Sequence, residues 1–185
     1  IVEQLKQLFN QEMIINKTYK TNTNEWERPW EVVGRNGMLL KDNTEKEIEK
    51  GQSKKMSKSK KNVVEPDEIL ENYGIDATRI FMISDSPPDR ELEWTDEGIQ
   101  SSKNLVNRVK RYFSEKRGDV NIDIQKEVEK FVQNIEKNIL NFSLNKCIAN
   151  IYTLFNFLEK QNVYLYDNEL SKKILICLFP IVPRL

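Results

Sequence analysis

The residues whose types and spacing could do chemistry are gathered in one run, Lys54-Lys55-Met56-Ser57-Lys58-Ser59-Lys60-Lys61. Five lysines and two serines share eight positions with one methionine and no carboxylate. Lysine supplies a mobile point charge with three donors, and serine adds a small hydroxyl partner, so a flexible loop of this composition suits a polyphosphate. Composition alone leaves two other readings open. One is a solvated basic loop without a role. The other is an address signal or nonspecific nucleic-acid patch, since short lysine-rich runs match such signals easily. Walker-type phosphate binding is excluded here, because no glycine-rich loop leads into a helix.

The rest of the chain narrows the chemistry. No histidine occurs in the 185 residues, so this chain holds no Ser-His-Asp triad, Cys-His pair or histidine metal centre. Lys+Arg and Asp+Glu both number 29. A global basic field is therefore absent, and a polyanion site must come from local charge segregation, as at 53–61. The two cysteines, Cys147 and Cys177, stand far apart inside apolar helical patterns. They fit free thiols in a reducing compartment better than a disulfide or metal site. No apolar run approaches membrane-spanning length, so a cytoplasmic protein without membrane association is expected.

Several elements must position the lysine run. Val2, Leu5, Leu8 and Phe9 predict a short amphipathic helix over 1–10, and Met13-Ile14-Ile15 with Thr18 and Tyr19 reads as one short strand. Residues 20–28 are polar and read as a loop. Val32-Val33, Asn36-Gly37 and Met38-Leu39-Leu40 predict a hairpin, with Trp26 and Trp30 covering its face. Residues 42–50 are ambiguous between strand and helical turn. Beyond the run, Pro66 opens a helix that stops at Gly74, Asp76 is the expected cap of the next, and Asp76 with Arg79 would form an i,i+3 ion pair. From Thr95 onward the periodicity gives four amphipathic helices, with Leu105, Val109 and Tyr112, then Val128, Ile135 and Phe142, then Ile151, Phe155 and Leu158, then Leu170 and Ile174 facing inward. The expected fold is α+β, mainly α, ending in an antiparallel helical bundle.

Letter order is more specific than composition. Lys55-Met56-Ser57-Lys58-Ser59, followed by Lys60 and Asn62, resembles the second signature of the class I aminoacyl-tRNA synthetases. The resemblance continues through Val64-Glu65-Pro66, Tyr73-Gly74-Ile75-Asp76 and Thr78-Arg79. Ser86-Pro87-Pro88-Asp89, Leu92-Glu93-Trp94 and Leu144-Asn145-Lys146-Cys147-Ile148-Ala149 are similar to the leucyl branch. The departures from the pattern are mild: Glu12 for a glycine, Glu65 for an aspartate and Ile75 for an alanine.

The resemblance implies a remnant of a class I catalytic domain over 1–52, carrying a β-hairpin insertion. It implies a signature loop and stem-contact-like segment over 53–94, and a truncated anticodon-binding-type bundle over 95–185. It also implies ATP, with Mg2+ in the complete enzyme and no metal ligands here, and leucine and tRNA(Leu) as partners of an expected monomer. Lys58 would be catalytic, and Lys55, Met56, Ser57, Lys58 and Ser59 would hold ATP. Lys60, Lys61, Lys103, Lys110 and Arg111 would meet tRNA. Since a His-x-Gly-His motif cannot be present, a C-terminal-half fragment, inactive by itself, is expected, with residues 52–61 mobile or in a non-productive shape. A valyl, isoleucyl or methionyl relative, or a non-catalytic tRNA-binding module, is the alternative.

Overall fold

The computed structural model describes residues 11–35, 38–85, 87, 89–165 and 169–184. The expected helix over 1–10, the Asn36-Gly37 turn, Ser86 and Pro88 lie outside them. Among the described residues the fold is mixed α and β, with small sheets and six α-helices, and the chain divides into two compact units, residues 1–69 with 88–95 and residues 70–87 with 96–185.

The first unit is built from short strands. Strand β1 (Ile14–Asn16) is central in a three-stranded sheet, antiparallel to β7 (Lys54–Lys55) and parallel to β8 (Leu92–Glu93). A second sheet has the order β3-β2-β6, from Trp26–Glu27, Tyr19–Thr21 and Ile48–Lys50. The expected hairpin is present as β4 (Val32–Arg35) against β5 (Met38–Lys41). The single strand expected over 13–19 is in fact two, because the chain changes sheets at Lys17–Thr18. There the Asn16 carboxamide accepts from the Lys17 N–H at 2.8 Å and the Thr18 hydroxyl donates to the Gln52 carbonyl at 2.8 Å. The polar 20–28 segment is not a plain loop but the turn between β2 and β3. Thr21 and Glu25 exchange bonds across it, and Asn24 takes the left-handed conformation, φ 69°. The ambiguous 42–50 stretch resolves into a turn followed by β6.

Buried side chains in this unit are mostly polar. Among the described residues, Ile48 and Leu92 are its buried apolar side chains, beside Asn16, Thr18, Thr21, Glu27 and Asn62. The tryptophans do not cover the hairpin. Trp26 lies in β3 with the Lys20 ammonium 4.2 Å from its ring centroid, and Trp30 is 56% exposed with the Arg28 guanidinium 5.6 Å from its ring.

The lysine run leads into α1 (Pro66–Tyr73), which begins at proline and carries Asp67 and Glu68 in its first turn, as the sequence dictates. The second unit contains α2 (Ile75–Ser84), α3 (Asp96–Ser114), α4 (Ile122–Leu140), α5 (Leu144–Lys160) and α6 (Glu169–Leu178). Helix α2 packs on α3 and α5, and α4 packs on α5 and α6. Leu105, Val109, Tyr112, Val128, Ile135, Ile151, Phe155, Leu158, Leu170 and Ile174 form one apolar core. Phe142, expected inward, is 50% exposed, because α4 ends at Leu140 and the chain turns through a left-handed Phe142, φ 53°. Cys147 is buried and its thiol is pushed up to about 11 by desolvation; both cysteines are free.

Helix α2 is not capped by Asp76. Gly74 occupies the cap position, and the buried Asp76 carboxylate accepts from the Arg184 N–H at 3.3 Å. The expected Asp76–Arg79 pair does not form. Arg79 donates instead to the carbonyls of Ile181 and Pro180, at 2.9 and 2.8 Å. These contacts hold the segment after α6 against α2, linking residues that lie too far apart in sequence for local spacing to reveal. Among the described residues, no helix is long and apolar enough to cross a membrane.

Helix α3 stops short of Gly118, the glycine that would be expected to end it. Ser114 ends it, and Lys116–Arg117 form β9, paired with β10 (Tyr164–Leu165). Gly118 follows with φ +69°, and a Cβ there would stand 2.5 Å from the Asn162 carbonyl oxygen. Both the backbone conformation and the close approach demand glycine. Gly118→Ala is expected to destabilise the helical unit by about 2 kcal/mol, read as a lower midpoint in urea unfolding followed by helical circular dichroism.

Candidate functional site

The lysine run has a defined backbone. It enters as an edge strand: Lys54 and Lys55 in β7 pair with Asn16 and Ile15 of β1. Gly51 permits that entry, since its N–H donates to the Thr18 carbonyl at 2.7 Å and a Cβ would lie 2.6 Å from the Thr18 hydroxyl. The run then tightens into a 3-10 turn over Lys58–Lys60, closed by the Lys60 N–H to Ser57 O and Lys61 N–H to Lys58 O bonds, each 3.1 Å. Lys61 ends the turn in the left-handed conformation, φ 54° and ψ 24°. Lys54, Lys55, Lys58 and Lys61 are exposed; Met56, Ser57 and Lys60 are half-buried. The Ser57 and Ser59 hydroxyls are 3.3 Å apart.

What fixes this shape lies beneath it. The Asn62 side chain is fully buried. Its Oδ1 accepts the Ser57 N–H at 2.9 Å, and its Nδ2 donates to the carbonyls of Lys54 at 3.0 Å and Asn16 at 3.2 Å. In return, Asn16 Nδ2 donates to the Asn62 carbonyl at 3.1 Å. One carboxamide thus ties together the first strand of the unit, the start of the run and its middle. Beside it, Glu93 of β8 accepts from the Ser53 hydroxyl and lies 3.9 Å from the Lys17 ammonium, so the Leu92-Glu93-Trp94 stretch holds the base of the run. Asn62 was visible as part of the motif. Asn16 and Glu93 carried no sequence signal for this role, because their partners lie in distant strands.

Electrostatically, the run presents cations to solvent above one buried carboxylate. The Lys41 ammonium, 2.9 Å away, holds Glu27 below the usual carboxylate range; burial opposes this and the charge of Lys61 adds to it. Glu27 in turn pushes Lys41 upward. A groove of about 380 Å³ lies alongside, lined by Arg28, Trp30, Lys58, Lys61, Glu65 and Glu68. Lysines on a pinned turn with free access can meet a polyphosphate and neutralise charge as it shifts.

The other sequence-predicted residues, Lys103, Lys110 and Arg111, belong to α3 in the second unit. Lys103 is engaged there: its ammonium donates to the Asn72 carbonyl at 2.7 Å and sits 5.5 Å from the Tyr73 ring centroid. Lys110 and Arg111 are exposed, and Arg111 lines a polar groove of about 560 Å³ with Asn104, Asn107, Arg108 and Glu159. Arg108 in that groove is paired with Glu159 at 2.6 Å and Asn156 at 2.7 Å.

Residues 12–95, which include the whole lysine run and its supports, match the family model described as tRNA synthetases class I (I, L, M and V). Relatives extend the match beyond that segment. The leucine--tRNA ligase of Zymomonas mobilis subsp. mobilis is 36% identical over 100% of this chain and 22% of its own length. Those of Rhizorhabdus wittichii and Rickettsia prowazekii are 36% and 34% identical, over 96% and 84% of this chain and 21% and 20% of their own lengths. The chain therefore spans about a fifth of the curated relatives it matches. In fold it is similar to the LeuRS of Agrobacterium radiobacter K84, solved as a ternary complex with tRNA and LeuAMS. The TM-score is 0.57 at 22% identity, over 70% of this chain and 19% of that one.

Because Glu27 has a lowered pKa when folded, its pairing with Lys41 stabilises the fold above the ordinary glutamate range. That contribution fades as pH falls below that range and through the folded value. Glu27→Gln is expected to lower the urea midpoint at pH 7, with the gap to the parent shrinking by pH 3. A gap that is constant with pH would contradict the assignment.

Proposed function

We propose that this chain is the loop-bearing part of a leucyl-tRNA synthetase, a cytoplasmic enzyme that activates leucine with ATP and transfers it to tRNA(Leu). The observation that carries this reading is the coverage of the lysine run, its Asn62 support and nearly all the remaining chain by relatives that are leucine--tRNA ligases. The valyl, isoleucyl and methionyl alternatives share only the broader class I model. A non-catalytic tRNA-binding module would use the exposed lysines as phosphate contacts alone.

In this reading residues 1–52 close the catalytic domain, 53–94 carry the signature loop and the segment after it, and 95–185 form an antiparallel, anticodon-type bundle. The leucine carboxylate attacks the α-phosphorus of ATP; a carboxylate-phosphorus bond forms as the bond to the bridging oxygen of pyrophosphate breaks. Lys58 sits against the phosphates and neutralises charge moving onto the departing pyrophosphate. Lys55 assists it, while the Met56 backbone, Ser57 and Ser59 shape the loop around ATP. Any Mg2+ arrives with ATP. Lys60, Lys61, Lys110 and Arg111 contribute phosphate contacts to tRNA, with Lys103 the weaker candidate because its ammonium already serves Asn72. The wall of the ATP site opposite the loop is supplied by the remainder of the complete protein, which acts as a monomer.

In the complete protein Lys58→Ala is expected to slow leucine-dependent pyrophosphate exchange by roughly 10²- to 10³-fold, with a smaller change in apparent ATP affinity. An unchanged rate would overturn the role given to Lys58.

A further inference from the structure

We propose that Asn62, supported by Asn16, is a positioning residue for Lys58, setting the rate of the activation step without touching ATP or leucine. This rests on the function proposed above.

The hydrogen bonds leave little freedom in the choice of side chain. The site beneath the run offers one N–H, from Ser57, and two carbonyls, from Lys54 and Asn16, within 2.9–3.2 Å of the Asn62 carboxamide. One acceptor and two donors in one plane is the inventory of a carboxamide. An aspartate of the same size would keep the Ser57 bond but turn a carboxylate oxygen toward two carbonyls. An alanine would orphan all three backbone groups in a site where Asn62 is 0% exposed.

The pinned group is adjacent to the chemistry in the chain. Ser57 immediately precedes Lys58, and the Ser57 carbonyl also closes the 3-10 turn at Lys60. Fixing the Ser57 N–H therefore fixes where the Lys58 Cα stands and how the turn leaves it. Lys58 itself is exposed and long, with no bonded partner holding its ammonium among the described contacts, so its aim depends on its backbone. Lys61, left-handed at the end of the turn, directly precedes Asn62. The turn is thus suspended between two contacts with one residue, the Asn62 side chain at its start and the Asn62 backbone at its end. Asn16 completes the arrangement from the far strand by donating to the Asn62 carbonyl at 3.1 Å.

A displacement of about 1 Å in a group that acts on the transition state can cost on the order of 10²-fold in rate. The test uses the complete protein and pyrophosphate exchange, with Asn62→Asp, Asn62→Ala and Asn16→Ala, each made with and without Lys58→Ala, and thermal melting to score folding. The expected result is a fall in kcat of roughly 10- to 100-fold for the Asn62 variants, with the leucine KM unchanged. In the Lys58→Ala background the same changes should add less than about twofold, because a misplaced lysine cannot matter once it is gone. Should Asn62→Ala fail to fold, Asn62→Asp, which keeps its volume, and Asn16→Ala, which removes the bond to the Asn62 carbonyl and the one accepted from the Lys17 N–H, carry the test. A slow Lys58→Ala with Asn62 variants as fast as the parent, or with effects that multiply in full, would overturn the positioning role alone. A Lys58→Ala enzyme of normal rate would overturn the underlying function and this inference with it.

Discussion

The buried carboxamide of Asn62 is the constraint on which the strand-built unit depends. An apolar interior tolerates small slips, because dispersion and burial are nearly indifferent to direction. A polar interior does not: each bond has a short range of workable distances and angles, and a missed bond leaves a desolvated group costing about 1–3 kcal/mol. Among the described residues this unit buries Asn16, Thr18, Thr21, Glu27 and Asn62 against only Ile48 and Leu92. It is therefore stabilised less by bulk burial than by a set of specific pairings, and those pairings converge on the backbone of the lysine run. The helical unit follows the opposite rule. Its helices bury an apolar stripe into a common core, and polar contacts such as those of Arg79 with the carbonyls of residues 180 and 181 fasten the segment after α6, which adds Ile181 and Val182 to that core.

The charge arrangement follows the same economy. The chain is neutral overall, yet four exposed lysines stand within one eight-residue run, two on its edge strand and two on its turn. Mutual repulsion among them is moderated by solvent and by Glu27 below, whose carboxylate is held ionised by Lys41 and feels Lys61 as well. Nearby cations have carboxylate partners, Lys41 with the buried Glu27 and Lys17 with the half-exposed Glu93. The outer lysines keep their donors for solvent or a ligand.

Much of this was legible in the sequence where the determinants are local. Pro66 and the acidic first turn gave the start of α1, the apolar periodicity gave the stripes of α3 to α6, and the letter order of the run marked the candidate site. Two of the failures share one cause, which is partners distant in the chain. Asp76 looked like a cap because the Arg184 N–H that it serves is invisible to local spacing. Residues 13–19 looked like one strand because nothing local says that Asn16 and Thr18 bond to segments beyond residue 50. Trp26 and Trp30 looked like hairpin cover because apolar side chains near a hairpin usually are; the lysine and arginine placed over them belong to neighbouring strands and turns. Within the site, the exposed lysines and the buried Asn62 were readable from the motif, and the supports Asn16 and Glu93 were not.

The parallel pairing of β1 with β8 has a consequence for how the unit comes to exist. Ile14 and Ile15 lie beside Leu92 and Glu93, so nearly the entire unit, the lysine run included, is a closed excursion between its first and last strands. Such long-range pairings must overcome loop-closure entropy before they return any stabilisation, and they form late. During synthesis the helical hairpins that follow can assemble from near neighbours, whereas the lysine turn acquires its final base only after Glu93 has emerged and docked beside β1. The part of the molecule that bears the candidate site is thus the part whose shape is completed by the end of its own sequence.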